Sequence, residues 1–250
     1  GPPLPSFEAF MQEGKIRFIP DSVAEAYYQA VFSESIRLPE VPLKLVYSPL
    51  NGTGNKPVRE ILRRIGNMEV SVVAEQELPD GDFPTCPYPN PEIREAMERA
   101  LALGEEERAD LCLATDPDCD RVGIAAPGPD GRFVLFSGNE TGALLLDFIC
   151  RERLAQGTMP QNPVAVKTIV TSEMAAAVAK EYGVELRNVL TGFKFIGEQI
   201  GLLEAEGASE RYIFGFEESY GYLSGSYVRD KDAVDAAMLI CEMAAFYKSK

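Results

Sequence analysis

Short apolar runs alternate with amphipathic stretches along the whole chain. Leu43–Tyr47 and Leu111–Ala114 are near-continuous apolar runs of strand length. From Asp21 or Ser22, the apolar positions Tyr27, Tyr28, Val31 and Phe32 recur at helical spacing instead. The pattern predicts strands at 43–47, 70–74, 111–114, 122–125, 132–136, 164–170, 184–189 and 212–216. Helices are predicted between them: from 21 or 22, over 57–65, 90–104, 139–154, 172–182 and 193–206, and from 231 onward. Asn90-Pro91-Glu92 reads as a helix start, with Asn as cap and Pro at the first helical position. Asn139 reads as another cap, and Gly66, Gly104 and Gly183 read as stops.

This order of elements is two consecutive β-α-β-α-β series. It predicts an α/β chain of two consecutive three-layer α/β/α domains with mostly parallel, mixed sheets. The boundary falls near 136–139, dividing the chain into 20–136 and 137–250. Ligands of such sheets bind at the carboxyl ends of the strands. Two unusually polar loops, 115–121 and 215–222, lie just there.

Charge and composition remove whole classes of function. With 24 Lys and Arg against 39 Asp and Glu in 250 residues, the formal net charge is −15. That argues against nucleic acid or an anionic membrane as partner. No apolar run reaches membrane-spanning length. Five cysteines without a C-x-x-C pattern suit a reduced, cytoplasmic protein. The chain has no histidine. Ser-His-Asp and Cys-His catalysis are excluded, as are His-containing zinc sites. A metal here is held mainly by oxygen, which favours Mg²⁺, Mn²⁺ or Ca²⁺.

Asp116-Pro117-Asp118-Cys119-Asp120-Arg121 carries the sharpest chemistry. Alternating carboxylates in an extended loop point the same way and repel unless a cation sits between them. Asp116, Asp118 and Asp120 therefore read as metal ligands, with Mg²⁺ serving phosphoryl transfer as the natural occupant. An EF-hand is excluded, because its sixth position, Gly, is Arg121 and its twelfth, Glu, is Pro127. A phosphatase with Asp116 as nucleophile stays open as an alternative. In Gly215–Tyr222 the carboxylates and hydroxyl of Glu217, Glu218 and Ser219 suit the hydroxyls of a sugar, with Tyr220 and Tyr222 as walls. Lys194 falls in a helical first turn after Thr191-Gly192-Phe193, a place that suits a phosphate. Ser48–Asn55 is glycine-rich but lacks the P-loop pattern.

Together these motifs resemble the α-D-phosphohexomutase family, in its phosphoglucomutase/phosphomannomutase branch. The metal loop D-x-D-x-D-R is matched by residues 116–121, and the sugar loop by Glu217-Glu218-Ser219-Tyr220-Gly221. Ser48-Pro49-Leu50-Asn51-Gly52-Thr53-Gly54, Pro79–Pro84, Thr191–Lys194 and Arg229–Asp232 follow further family motifs in order. The resemblance implies a phosphoserine that exchanges phosphoryl groups with glucose or mannose 1- and 6-phosphate through a bisphosphate. It implies Mg²⁺ on Asp116, Asp118 and Asp120, Arg121 on the phosphoryl group, and Glu217 and Ser219 on the sugar. It implies that Lys194 binds the substrate or protonates near it. Asn51 stands where the family has His, and no T-A-S-H-N-P or C-terminal phosphate-clamp motif occurs. The chain thus looks like domains II and III of four, with residues 1–19 a linker remnant and domains I and IV its missing partners. Alone it is expected to be inactive. A stand-alone sugar-phosphate-binding module is the other alternative.

Overall fold

The computed structural model describes residues 4–250, so residues 1–3 of the expected linker lie outside the described residues. A short helix α1 (Phe7–Gln12) precedes α2 (Asp21–Phe32). The first sheet follows with β1 (Leu43–Ser48), α3 (Asn55–Ile65), β2 (Met68–Val72), α4 (Arg94–Glu107), β3 (Leu111–Thr115), β4 (Val122–Pro127) and β5 (Phe133–Phe136). Its strand order is β2-β1-β3-β4-β5. β1 runs parallel to β2 and β3, and β4 runs antiparallel to β3 and β5. Helix α5 (Gly138–Gln156) leads to β6 (Val164–Thr168), α6 (Met174–Glu181), β7 (Glu185–Val189), α7 (Phe193–Ala205), β8 (Tyr212–Glu217), β9 (Gly221–Leu223) and α8 (Ala233–Lys248). The second sheet has the order β7-β6-β8-β9, with only β9 antiparallel.

The central strands are apolar throughout because both of their faces are covered. Val46, Cys112 and Ala125 pack with Ala96, Met97 and Ala100 of α4. Leu45, Tyr47, Leu113 and Ile124 point the other way, into a core shared with Val58 and Ile61 of α3 and Met238 and Ile240 of α8. That same core continues to Phe214 and Phe216 of the second sheet. The outer face of the second sheet, with Val164 and Val166, is closed by Ile196, Ile200 and Leu203 of α7. Helix α8 therefore covers both sheets, touching α3, β1, β3 and β4 as well as α5 and β9.

Several local expectations are corrected. Helix α4 starts at Arg94, not at Asn90. The Asn90 side chain accepts the Glu92 N–H at 3.0 Å in a turn of its own, which takes Pro91 out of the helix. Gly104 does not stop α4. It lies inside the helix against Cys112 and Phe133, and the helix ends at Arg108, which has φ 54°. Ser137, not Asn139, caps α5, in a reciprocal pair with Glu140. Asn139 instead accepts the Ser172 N–H at 2.8 Å. Strand β9 was hidden inside what reads as one long polar loop. Among the described residues no helix is long and apolar enough to cross a membrane.

Candidate active site

The acidic loop leaves the buried end of β3 and turns back at once into β4. It is not extended. The Asp116 carbonyl accepts the Cys119 N–H at 3.0 Å, and Cys119 takes φ 61°. The Asp116 carboxylate accepts the N–H groups of Asp120 (3.0 Å) and Arg121 (2.9 Å). The turn is thus wound around one carboxylate, and this winding, not strand alternation, makes the three side chains converge. One carboxylate oxygen from each of Asp116, Asp118 and Asp120 lies within 4.8 Å of the others. Asp116 is buried, Asp118 exposed and Asp120 between the two. Burial, with some help from the charges of Asp120 and Asp118, pushes the Asp116 carboxyl up to about 7, against the pull of the Arg121 N–H.

The glycine-rich loop after β1 holds this turn in place. Thr53 donates both its N–H (2.8 Å) and its hydroxyl (3.0 Å) to the Pro117 carbonyl. Gly52 lies so close that a Cβ there would stand 2.6 Å from that same oxygen. Asn51 donates to the carbonyls of Glu75 (3.2 Å) and Leu78 (2.9 Å), clasping the 75–84 loop, while its Oδ1 is buried without a partner.

The second polar loop meets the first. Arg121 and Gly221 pair in an antiparallel bridge, and the Val122 N–H reaches the Tyr220 carbonyl at 3.2 Å. The Ala233 N–H at the start of α8 donates to the Cys119 carbonyl at 3.1 Å. Glu217 is buried at the end of β8. Burial raises its carboxyl above the ordinary value, and Lys231 and Ser219 hold part of that rise back. Glu218 points elsewhere and accepts from the Thr168 hydroxyl at 2.9 Å. Tyr222 is no pocket wall, being fully buried and stacked 6.4 Å from Phe214, whereas Tyr220 is half-buried with φ 64°. Gly221 leaves room for two side chains, since a Cβ there would press on Cδ of Lys231 and stand 3.0 Å from the Glu217 carboxylate.

Two cations stand by the acidic loop. The Arg121 guanidinium bonds Glu92 at 3.1 Å and stays 3.9 and 4.0 Å from Asp120 and Asp116. The Lys231 ammonium lies 2.9 Å from Asp120 and 3.9 Å from Glu217. The sequence marks Lys231 only as part of the Arg229–Asp232 motif and as the first residue of the last expected helix, whereas α8 starts at Ala233 and leaves Lys231 in the loop before it. Lys194 occupies the first turn of α7, exposed, with its ammonium over the Phe195 ring.

Residues 24–128 match the family model for phosphoglucomutase/phosphomannomutase, alpha/beta/alpha domain II, and residues 137–250 match that for domain III. The chain belongs to the phosphoglucomutase/phosphomannomutase family. The phosphoglucomutase of Staphylococcus aureus (strain MRSA252) is 37% identical over 233 residues, which are 93% of this chain and 41% of that relative. The chain thus spans about two fifths of the length of the curated relatives it matches. Family members of known structure share the fold. A phosphoglucomutase/phosphomannomutase family protein from Burkholderia thailandensis aligns with TM-score 0.70 at 20% identity, over 90% of this chain and 44% of its own. The Aspergillus fumigatus N-acetylphosphoglucosamine mutase, solved with GlcNAc-6P and magnesium, aligns with TM-score 0.61 at 16% identity, over 89% of this chain and 51% of its own.

Proposed function

We propose that this chain supplies the metal-binding and sugar-binding loops of a phosphohexomutase, as domains II and III of a longer polypeptide. The longer protein would interconvert glucose or mannose 1-phosphate and 6-phosphate through a phosphoserine and a bisphosphate. The convergence of Asp116, Asp118 and Asp120 beside the Glu217 loop carries this reading. Three carboxylates without histidine or thiolate partners form a hard, oxygen-only donor set, which fits Mg²⁺. Bound there, the ion would supply charge stabilisation for a transferring phosphoryl group. Arg121, whose guanidinium stands 4.0 and 3.9 Å from Asp116 and Asp120, would hold that group's oxygens. Glu217 and Ser219 would accept and donate to the sugar hydroxyls, and exposed Lys194 would meet the substrate's phosphate. No T-A-S-H-N-P segment occurs in the sequence, so the phosphoserine would come from outside it.

The phosphatase alternative asks a buried Asp116 to attack phosphate with the one oxygen, Oδ2, that its two backbone N–H bonds leave open. The reading is tested by titrating the chain with Mg²⁺ in a calorimeter. Weak one-site binding is expected, lost in Asp118→Asn, a change at an exposed side chain, with folding checked by circular dichroism. The same preparation should not turn over glucose 1-phosphate. Robust mutase activity of the chain alone, or Mg²⁺ binding that survives Asp118→Asn, would refute this assignment.

A further inference from the structure

The acidic loop already has a cation within bonding distance, and that cation comes from the other sheet's side of the molecule. Lys231 follows β9 and precedes α8, yet its ammonium makes its shortest contact with Asp120, at 2.9 Å. Its second acidic neighbour on that side is Glu217, at 3.9 Å, and Asp230 lies at 3.5 Å. Only 13% of the Lys231 side chain is exposed, so it has little room to leave for solvent. The Arg121 guanidinium does not take its place, being engaged with Glu92 and no closer than 3.9 Å to the carboxylates of Asp120 and Asp116.

We propose that Lys231 is a shared counterion that passes from Asp120 to Glu217 when the acidic loop takes up its divalent cation. This rests on the metal-site reading above. A dication ligated by an Asp120 oxygen and an ammonium bonded to the same carboxylate repel one another at close range. The hold of the ammonium on Asp120 is thereby weakened, and Glu217 is the buried carboxylate nearest to hand. Loading of the acidic loop thereby changes the charge partner of the residue proposed to hold the sugar. Lys231 thereby acts as a positioning residue between the two loops.

The test is a Mn²⁺ titration of the chain, followed by calorimetry, on the wild type, Lys231→Met, Lys231→Arg and Asp118→Asn. Removing a competitor strengthens cation binding, whereas removing a mere structural support weakens it. Lys231→Met is expected to bind roughly three- to tenfold more tightly than the wild type, the range of a partly exposed ion pair. Lys231→Arg should stay near the wild type. Equal or weaker binding by a folded Lys231→Met overturns the inference while the metal site stands. Absence of binding in both the wild type and Lys231→Met overturns the metal site and the inference together. Should Lys231→Met fail to fold, a crystal structure of the Mg²⁺-loaded wild type decides the matter. An ammonium more than 4 Å from Asp120 and closer to Glu217 supports the proposal, and the 2.9 Å contact retained refutes it.

Discussion

Gly52 shows how much the acidic loop depends on residues that carry no chemistry. A methyl group there would press on the Cα and carbonyl of Pro117, the backbone that Thr53 also grips. Backbone cannot swing away as a side chain can, so Gly52→Ala should cost about 1–3 kcal/mol in denaturant unfolding. Cation affinity should fall along with stability, because the strain enters at Pro117, between Asp116 and Asp118. Unchanged affinity in a destabilised variant would mean that the glycine-rich loop does not position the acidic one. Residue identity was well written in this region, for the three aspartates and Glu217 stand out in the sequence. The geometry was not. Cys119 and Tyr220 both hold positive φ, a conformation unusual for such side chains, and nothing in the local pattern announces it. Lys231 was equally hidden, because its partner Asp120 is distant in sequence and is reached only once α8 has crossed to the first sheet.

At the scale of elements, period and length were enough to find nearly every strand and helix, while their ends depended on hydrogen bonds made elsewhere. The cap of α5 fell to Ser137 because Asn139 was drawn to Ser172, a contact across 33 residues. Strand β9 is three residues long, below the length at which alternation is readable, and exists because Glu217 and Phe216 offer it an edge. Helix α8 carries a further device, since its buried carboxylates hold the N-terminal segment. Glu242 accepts the N–H groups of Ile36 (2.9 Å) and Arg37 (3.1 Å) and the Ser35 hydroxyl, while Asp232 accepts the Tyr27 hydroxyl at 2.8 Å. Burial raises the Glu242 carboxyl above its ordinary 4.5, outweighing these three donors. A folded-state value above the unfolded one means that the native state holds this proton more tightly. Its stabilisation is complete below pH 4.5 and is lost as pH climbs through the raised value. Glu242→Gln does not titrate at this position. The stability advantage of the wild type over that variant, from urea unfolding, should therefore be largest in mild acid and shrink toward neutral pH. An advantage that grows with pH would show that the three donors outweigh burial.

At the scale of the whole molecule, the alternation of elements suggests two units laid end to end, yet the inner face of the first sheet is closed by the last helix. Leu45, Tyr47, Leu113 and Ile124 share one core with Met238 and Ile240, and that core runs on to Phe214. Period cannot report such an exchange, because an amphipathic helix looks the same whichever sheet it covers. The arrangement has a functional consequence. The start of α8 anchors the Cys119 carbonyl, and the residue just before it bonds Tyr27, so the helix that unites the core also fixes the junction of the two polar loops. Ile240 is fully buried in the shared core, and Ile240→Ala should cost about 2–5 kcal/mol. If the two sheets were separate folding units, the loss would appear only in the half that contributes α8. With one core, unfolding stays a single transition, and native-state hydrogen exchange should lose protection at Leu45 and Leu113 of the first sheet as much as at Phe214 of the second. Full protection of the first sheet in that variant would show that α8 rests against it without supporting it.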